Sequence, residues 1–249
     1  MMKVSINAIE YYLPARKEDN QSLLVDNPNW LIEDIEAKTG IKSRYISDPG
    51  QTATDMAVLA AKKLFSSRVD PEEIEFLVFV TQSPDYALPN SACILQERLG
   101  IKTSCMAFDV NLGCSGFTYG LAIGGSLIET GIAKQGLLVC SDTYSKYIDK
   151  NDRACRSVFG DAASASLLVP SEEEMLGPFE MGTDGSGHEN LIVPLSGARK
   201  NPESSQENKL FMDGASVFMF TMDVVPRCVT SLLEKSELQI EDVDLFVLH

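Results

Sequence analysis

The chain has 249 residues, 44% of them hydrophobic, and its 21 basic and 36 acidic side chains give a formal charge of −15. That length supports one large domain or two of ordinary size without disulfides, and the composition excludes disorder. The acidic balance argues against nucleic acid as a partner. The longest apolar stretches, such as 74–80, are strand-length and argue against a membrane span.

In chain order, hydrophobic patterning predicts a strand at 4–9, a helix at 54–66, a strand at 76–81 and a helix at 91–99. A strand at 105–110, a helix at 115–129 and strands at 137–141 and 165–169 follow. A helix at 215–233 and a strand at 245–248 complete the set. Continuous apolar strands alternating with helices predict an α/β fold whose sheet is covered on both faces. Along 115–129, Gly116, Gly120 and Gly124 recur every fourth residue. Glycine weakens a helix, so this stripe predicts close packing in the interior. The stretch from Gly185 to Glu207, rich in Gly, Ser, Asn and Pro, is long for a connector and reads as a functional excursion or a partly mobile segment.

An acidic-then-apolar pattern, Glu72-Glu73-Ile74-Glu75-Phe76-Leu77-Val78-Phe79, returns at Glu241-Asp242-Val243-Asp244-Leu245-Phe246-Val247-Leu248, 169 positions later. This repeat predicts two related halves, residues 1–170 and residues 171–249, with the second cut short. A chain ending at the tip of an apolar strand lacks that strand's neighbours, so the expectation is a piece of a longer protein.

Cys114 lies where the strand at 105–110 hands over to the helix at 115–129. A helix start presents unpaired N–H groups and the positive end of the macrodipole, worth up to about 2 kcal/mol. The expectation is a thiol with its pKa depressed toward neutrality, and thiolate is the attacking species. The competing account is a small buried hydrophobe. The other five cysteines lie in apolar or small-residue stretches; with no C-x-x-C pair and two histidines, no metal site is expected. The opening residues 1–13 have neither a basic start nor a sustained apolar core, so the expected setting is reduced and cytoplasmic.

Several stretches together resemble the β-ketoacyl-acyl carrier protein synthase III family of the thiolase-like superfamily. They are Thr39-Gly40-Ile41-Lys42-Ser43-Arg44, Leu88-Pro89-Asn90-Ser91-Ala92-Cys93 and Phe108-Asp109-Val110-Asn111-Leu112-Gly113-Cys114-Ser115-Gly116-Phe117. Further along stand Asp152-Arg153, Phe159-Gly160-Asp161-Ala162-Ala163, Thr183-Asp184-Gly185-Ser186, Met212-Asp213-Gly214 and Asp244-Leu245-Phe246-Val247-Leu248-His249. The resemblance implies a duplicated α-β-α-β-α layered fold, with the second half incomplete in this chain. It implies an acyltransferase performing decarboxylative Claisen condensation between an acyl-CoA primer and malonyl-acyl carrier protein. Cys114 would carry the acyl group and His249 would help stabilise the enolate. Trp30, Arg153, Gly214 and Phe218 would line the CoA tunnel, the indole and guanidinium stacking on adenine. Leu88 would stand where an aromatic often narrows the acyl pocket.

The resemblance further implies a homodimer, no membrane, and no cofactor beyond the CoA thioester as substrate. His188, in a Gly-Ser-Gly-His loop, matches no catalytic position. The acidic run near Glu33 to Glu36 separates Trp30 from Lys38 and would reshape the CoA entrance. The family's catalytic asparagine and second oxyanion segment would follow His249, so condensation by this chain is expected to be impaired; losing one oxyanion donor costs about 10²–10³ in rate. The alternatives are a non-catalytic thiolase-like partner subunit and a superfamily acyltransferase that does not decarboxylate.

Overall fold

A computed structural model of the chain describes residues 2–199 and 208–249. Its centre is a five-stranded sheet built from β1 (Val4–Tyr12), β4 (Phe76–Val80), β5 (Met106–Val110), β6 (Gly136–Asp142) and β7 (Ala162–Pro170), in the order β1-β7-β6-β4-β5. β6, β4 and β5 are parallel, whereas β7 is antiparallel to both β6 and β1. A hairpin of β2 (Arg16–Asp19) and β3 (Ser43–Ile46) sits apart from it.

Period-two alternation along β4 divides the core. Leu77 and Phe79 point to one face, where they meet Met56, Ala57, Ala60 and Leu64 of α2 (Ala53–Arg68) and Leu95 of α3 (Ser91–Leu99). Phe76, Val78 and Val80 point to the other, against Leu121 and Ile128 of α4 (Gly116–Glu129). α2 starts at a capping box in which the Thr52 hydroxyl accepts from the Asp55 amide and the Asp55 carboxylate from the Thr52 amide. The carboxylate of Asp109, on β5, accepts the first two amides of α3, from Ser91 and Ala92, both at 2.7 Å.

The glycine stripe of α4 is the face that lies on the sheet. A methyl group at Gly116 would strike Val80, at Gly120 Leu138, and at Gly124 Leu168. The sequence predicts a helix buried in the interior, but only this glycine face is covered; Phe117, Thr118 and Ser126 on the opposite face are exposed.

Three departures from the sequence reading concern the second half. The expected strand at 245–248 does not form: Leu245, Phe246, Val247 and Leu248 are exposed, and among the described residues they enter no ladder and have no strand beside them to pair with. α6 (Gly214–Ser236) carries a window of mean hydropathy 1.3, so apolar stretches are not confined to strand length, and by length and composition the helix could cross a membrane. Its large apolar residues, among them Phe218, Met219 and Met222, face solvent. In the excursion predicted over 185–207, residues 185–190 form a short 3₁₀ helix and β8 (Leu191–Ile192) pairs with β9 (Phe211–Met212); residues 200–207 lie outside the described residues. Within the first half of the sequence prediction, the β2–β3 pair and the helix α1 (Ile32–Thr39) were not foreseen.

Candidate active site

The three parallel strands β5, β4 and β6 run in register, with Val80 opposite both Val110 and Cys140, so their C-terminal ends reach the same rim of the sheet. In open α/β sheets that rim is where ligands bind. It delivers Cys114 after β5, Thr81-Gln82-Ser83 after β4, and Asp142 with Tyr144 at the end of β6.

Cys114 stands just outside the Ser115 cap of α4, and the turn is closed by the Gly116 amide donating to the Gly113 carbonyl at 2.8 Å. The residue is exposed, as a nucleophile must be. Its thiol pKa, however, is raised and not lowered, which reverses the sequence expectation. Crowding of the sulfur by protein is the largest cause and the negative Asp142 adds to it, outweighing the hydrogen bond from the residue's own backbone N–H. The helix end alone therefore does not make this thiol an anion.

Asp142 is the centre of the rim. One of its carboxylate oxygens accepts from the Gln82 amide (2.7 Å), the Ser83 amide (3.0 Å), the Ser83 hydroxyl (2.9 Å) and the Thr81 hydroxyl (3.1 Å). Burial raises its pKa, and the hydrogen bonds from Gln82, Ser83 and Thr81 only partly offset that.

Tyr144 donates its hydroxyl to the side-chain oxygen of Gln82, and its ring stacks on Phe159 with centroids 5.3 Å apart. Burial raises the pKa of the Tyr144 hydroxyl, with Asp142 and then Cys114 contributing. Beyond Phe159, the Asp161 carboxylate gathers the Ser47 amide (2.8 Å) and hydroxyl (2.7 Å) and the Ser145 amide (3.0 Å) and hydroxyl (2.5 Å). This fixes the loop that carries Tyr144 to the β2–β3 hairpin.

Sequence reasoning missed Gln82, Asp142 and Tyr144. The available signal was positional: each is among the first polar residues after, or the last residue of, an apolar run that the sheet aligns with the run leading to Cys114.

The segments of Trp30 and Arg153 are brought together. Asn27 donates to the Lys150 carbonyl (2.9 Å), Arg156 pairs with Asp26 (2.8 Å), and Arg153 reaches Asp34 of α1 at 3.8 Å. The acidic run Glu33 to Glu36 thus forms part of α1, its acids at the helix start and Lys38 in the last turn, as the macrodipole favours. Gly214 opens α6 after the cap by Asp213, which accepts from the Ala215 and Ser216 amides, both at 3.1 Å. Phe218 is 61% exposed on the same helix, and Leu88 is 87% exposed beside Pro89. His249 is exposed, and no hydrogen bond or ion pair joins it to Cys114. His188, in the 3₁₀ turn, is exposed, and its polar partners among the described residues are Gly185 and Glu189. A cleft of about 510 Å³ lined by Arg16, Ser47, Lys146, Arg156 and Phe159 lies to the side of the rim and does not include Cys114.

A mixed sheet with helices on both faces, and a cysteine at a strand-to-helix turn on its C-terminal rim, mark the class of thiolase-like condensing enzymes. A family model described as 3-oxoacyl-[acyl-carrier-protein (ACP)] synthase III matches residues 108–185. The β-ketoacyl-[acyl-carrier-protein] synthase III of Caldanaerobacter subterraneus subsp. tengcongensis is 37% identical over 96% of this chain and 73% of its own length. A crystal structure of a 3-oxoacyl-(acyl-carrier-protein) synthase III is 42% identical, with a TM-score of 0.95 over 99% of this chain and 78% of that one. A crystal structure of a 3-oxoacyl-(acyl-carrier protein) synthase from Burkholderia xenovorans LB400 is 34% identical, with a TM-score of 0.90 over 98% of this chain and 72% of that one. The chain belongs to the β-ketoacyl-acyl carrier protein synthase III family and is an acyltransferase of that kind.

Proposed function

We propose that Cys114 attacks the thioester of an acyl-CoA, forming an acyl-cysteine and releasing CoA thiol. Malonyl-acyl carrier protein then loses CO₂, and its enolate carbon attacks the acyl carbonyl. The new carbon–carbon bond expels the Cys114 thiolate and leaves a β-ketoacyl-acyl carrier protein. The observation that carries this reading is the placement of an exposed cysteine, its own N–H turned toward the sulfur, on the rim where three parallel strands end. Burial and Asp142 disfavour the thiolate, so the Cys114 proton is lost as the acyl carbon is attacked and ends on the CoA sulfur, which leaves as the thiol.

His249 supplies the hydrogen bond that develops on the enolate oxygen. Trp30 and Arg153, on segments pinned together through Asn27, Asp26 and Asp34, hold the adenine of CoA, with Gly214 and Phe218 on the adjoining helix and Leu88 toward the acyl end. Two copies associate through β5, an edge strand of the sheet among the described residues, which leads directly to Cys114 and exposes Met106. The apolar surface of α6 meets protein rather than a bilayer: Asp223 and Arg227 pair within the helix, and Lys235 near its end pairs with Glu180. All six cysteines are free thiols, in keeping with a reduced, cytoplasmic setting.

Incubation with a short acyl-CoA adds one acyl mass, hydroxylamine removes it, and Cys114→Ala abolishes it. An intact, folded protein whose thiol is alkylated by iodoacetamide but never acylated by any acyl-CoA would overturn the reading.

A further inference from the structure

Gln82 and Tyr144 lie against the backbone that leads into Cys114. A methyl group placed on Gly113 would collide with the Gln82 side-chain oxygen and come within 2.9 Å of the Tyr144 hydroxyl. The two polar groups therefore border the residue next to the thiol, and the negative charge that would form on Cys114 is felt at Tyr144. Stacking on Phe159 fixes the tyrosine ring. The tyrosine proton goes to the amide oxygen of Gln82, which leaves the amide NH₂ turned away from Tyr144. Those N–H donors meet no protein acceptor among the described residues, while the Gln82 main chain is tied to Asp142 at 2.7 Å.

We propose that Gln82 and Tyr144 form a hydrogen-bonding wall beside Cys114 that selects short acyl groups carrying a neutral acceptor oxygen, a hydroxyl or carbonyl, over plain alkyl chains of equal length. The assignment rests on the acyl-cysteine reading above. An alkyl chain lying on the wall strips water from the amide donors and returns nothing, whereas an oxygen at that place replaces the water. The wall also fills space beside Gly113, the residue before the thiol, which disfavours long chains. Asp142 directly behind it opposes an acyl group ending in a carboxylate.

The test is a competition between butyryl-CoA and 3-hydroxybutyryl-CoA at equal concentration, the two Cys114 adducts being resolved by intact mass. The hydroxylated adduct is expected to form about 3- to 10-fold faster, the ratio one hydrogen bond supplies. Gln82→Leu, at an exposed side chain, removes the preference, and Tyr144→Phe, which frees the amide to turn, weakens it. Equal rates in the unaltered protein, or an unchanged ratio in Gln82→Leu, would overturn the wall. A thiol that iodoacetamide alkylates but neither thioester acylates would instead overturn the acyl-cysteine reading, and the selectivity with it.

Discussion

Asp142 holds Ser83 by both its amide (3.0 Å) and its hydroxyl (2.9 Å), so the end of β6 is locked to the turn that leaves β4. The same carboxylate keeps a negative charge near Cys114 and raises its pKa. A group tuned for early ionisation would not be placed there. Burial of the sulfur and this charge both favour the protonated thiol.

Asp142→Asn keeps one acceptor oxygen for Gln82 and Ser83 but removes the charge. Without a nearby anion the thiolate is favoured, so the Cys114 pKa falls. The inflection in iodoacetamide alkylation rate against pH moves to lower pH, and alkylation at neutral pH quickens. An inflection that stays in place or moves up would show that Asp142 does not act on the sulfur through its charge. Following the reaction at Cys114 by peptide mass separates it from the other five thiols.

The Asp161 carboxylate gathers four donors from Ser47 and Ser145 and is itself buried. Asp161→Ala strands the two amides and hydroxyls in a site that water enters poorly. The expected loss is about 3 kcal/mol or more, the range for deleting one side of a buried charged network. Chemical denaturation should show it as a lowered midpoint at constant slope. Because the cluster also fixes the Tyr144 loop, cleavage by protease between residues 144 and 152 should become faster.

The central sheet was legible because its strands are continuous apolar runs, and the Cys114 turn because an apolar run passes directly into a helical one. The glycine stripe correctly marked the face of α4 that meets Val80, Leu138 and Leu168. The 16–19 and 43–46 hairpin was hidden because its strands are short and polar, and its pairing through Arg16 with Ile46 and Asp19 with Ser43 leaves no period-two signal. The strand expected at 245–248 failed for the complementary reason: propensity alone does not supply a partner for its backbone. At the site, position was readable and electrostatics was not. The rise in the Cys114 pKa comes from crowding and from Asp142, 28 residues away in sequence and adjacent only because β6 and β5 flank β4.

Gly120→Ala is expected to destabilise, although alanine is the better helix former. The added methyl would occupy the place of a Leu138 methyl in the core beneath α4, and Leu138 is buried. Overpacking of this kind costs about 1–3 kcal/mol, against a helix-propensity gain of roughly 1 kcal/mol. Thermal melting should show a lower Tm. A higher Tm would mean that α4 lifts from the sheet without cost, and the close approach would then not be what holds the helix carrying the Cys114 turn.

Thr52 and Asp55 cap α2 reciprocally, and Asp55 also pairs with Arg98 of α3 at 2.8 Å. Thr52→Ala removes the acceptor for the Asp55 amide and should cost about 0.5–2 kcal/mol. Burial works to raise the Asp55 pKa, but the hydrogen bond from the Thr52 amide and the Arg98 pair outweigh it, so the folded-state pKa is lowered. A carboxylate with a depressed folded pKa stabilises at pH values above its unfolded pKa, near 4, and that contribution fades as pH falls through the folded value. Both partners are about a third exposed, so solvent screening limits the Asp55–Arg98 pair to less than about 1 kcal/mol. Arg98→Ala should therefore lower stability slightly at pH 7 and not at all near pH 2. A deficit of equal size at both pH values, measured by urea denaturation, would assign the effect to lost packing of the arginine stem instead of to its charge.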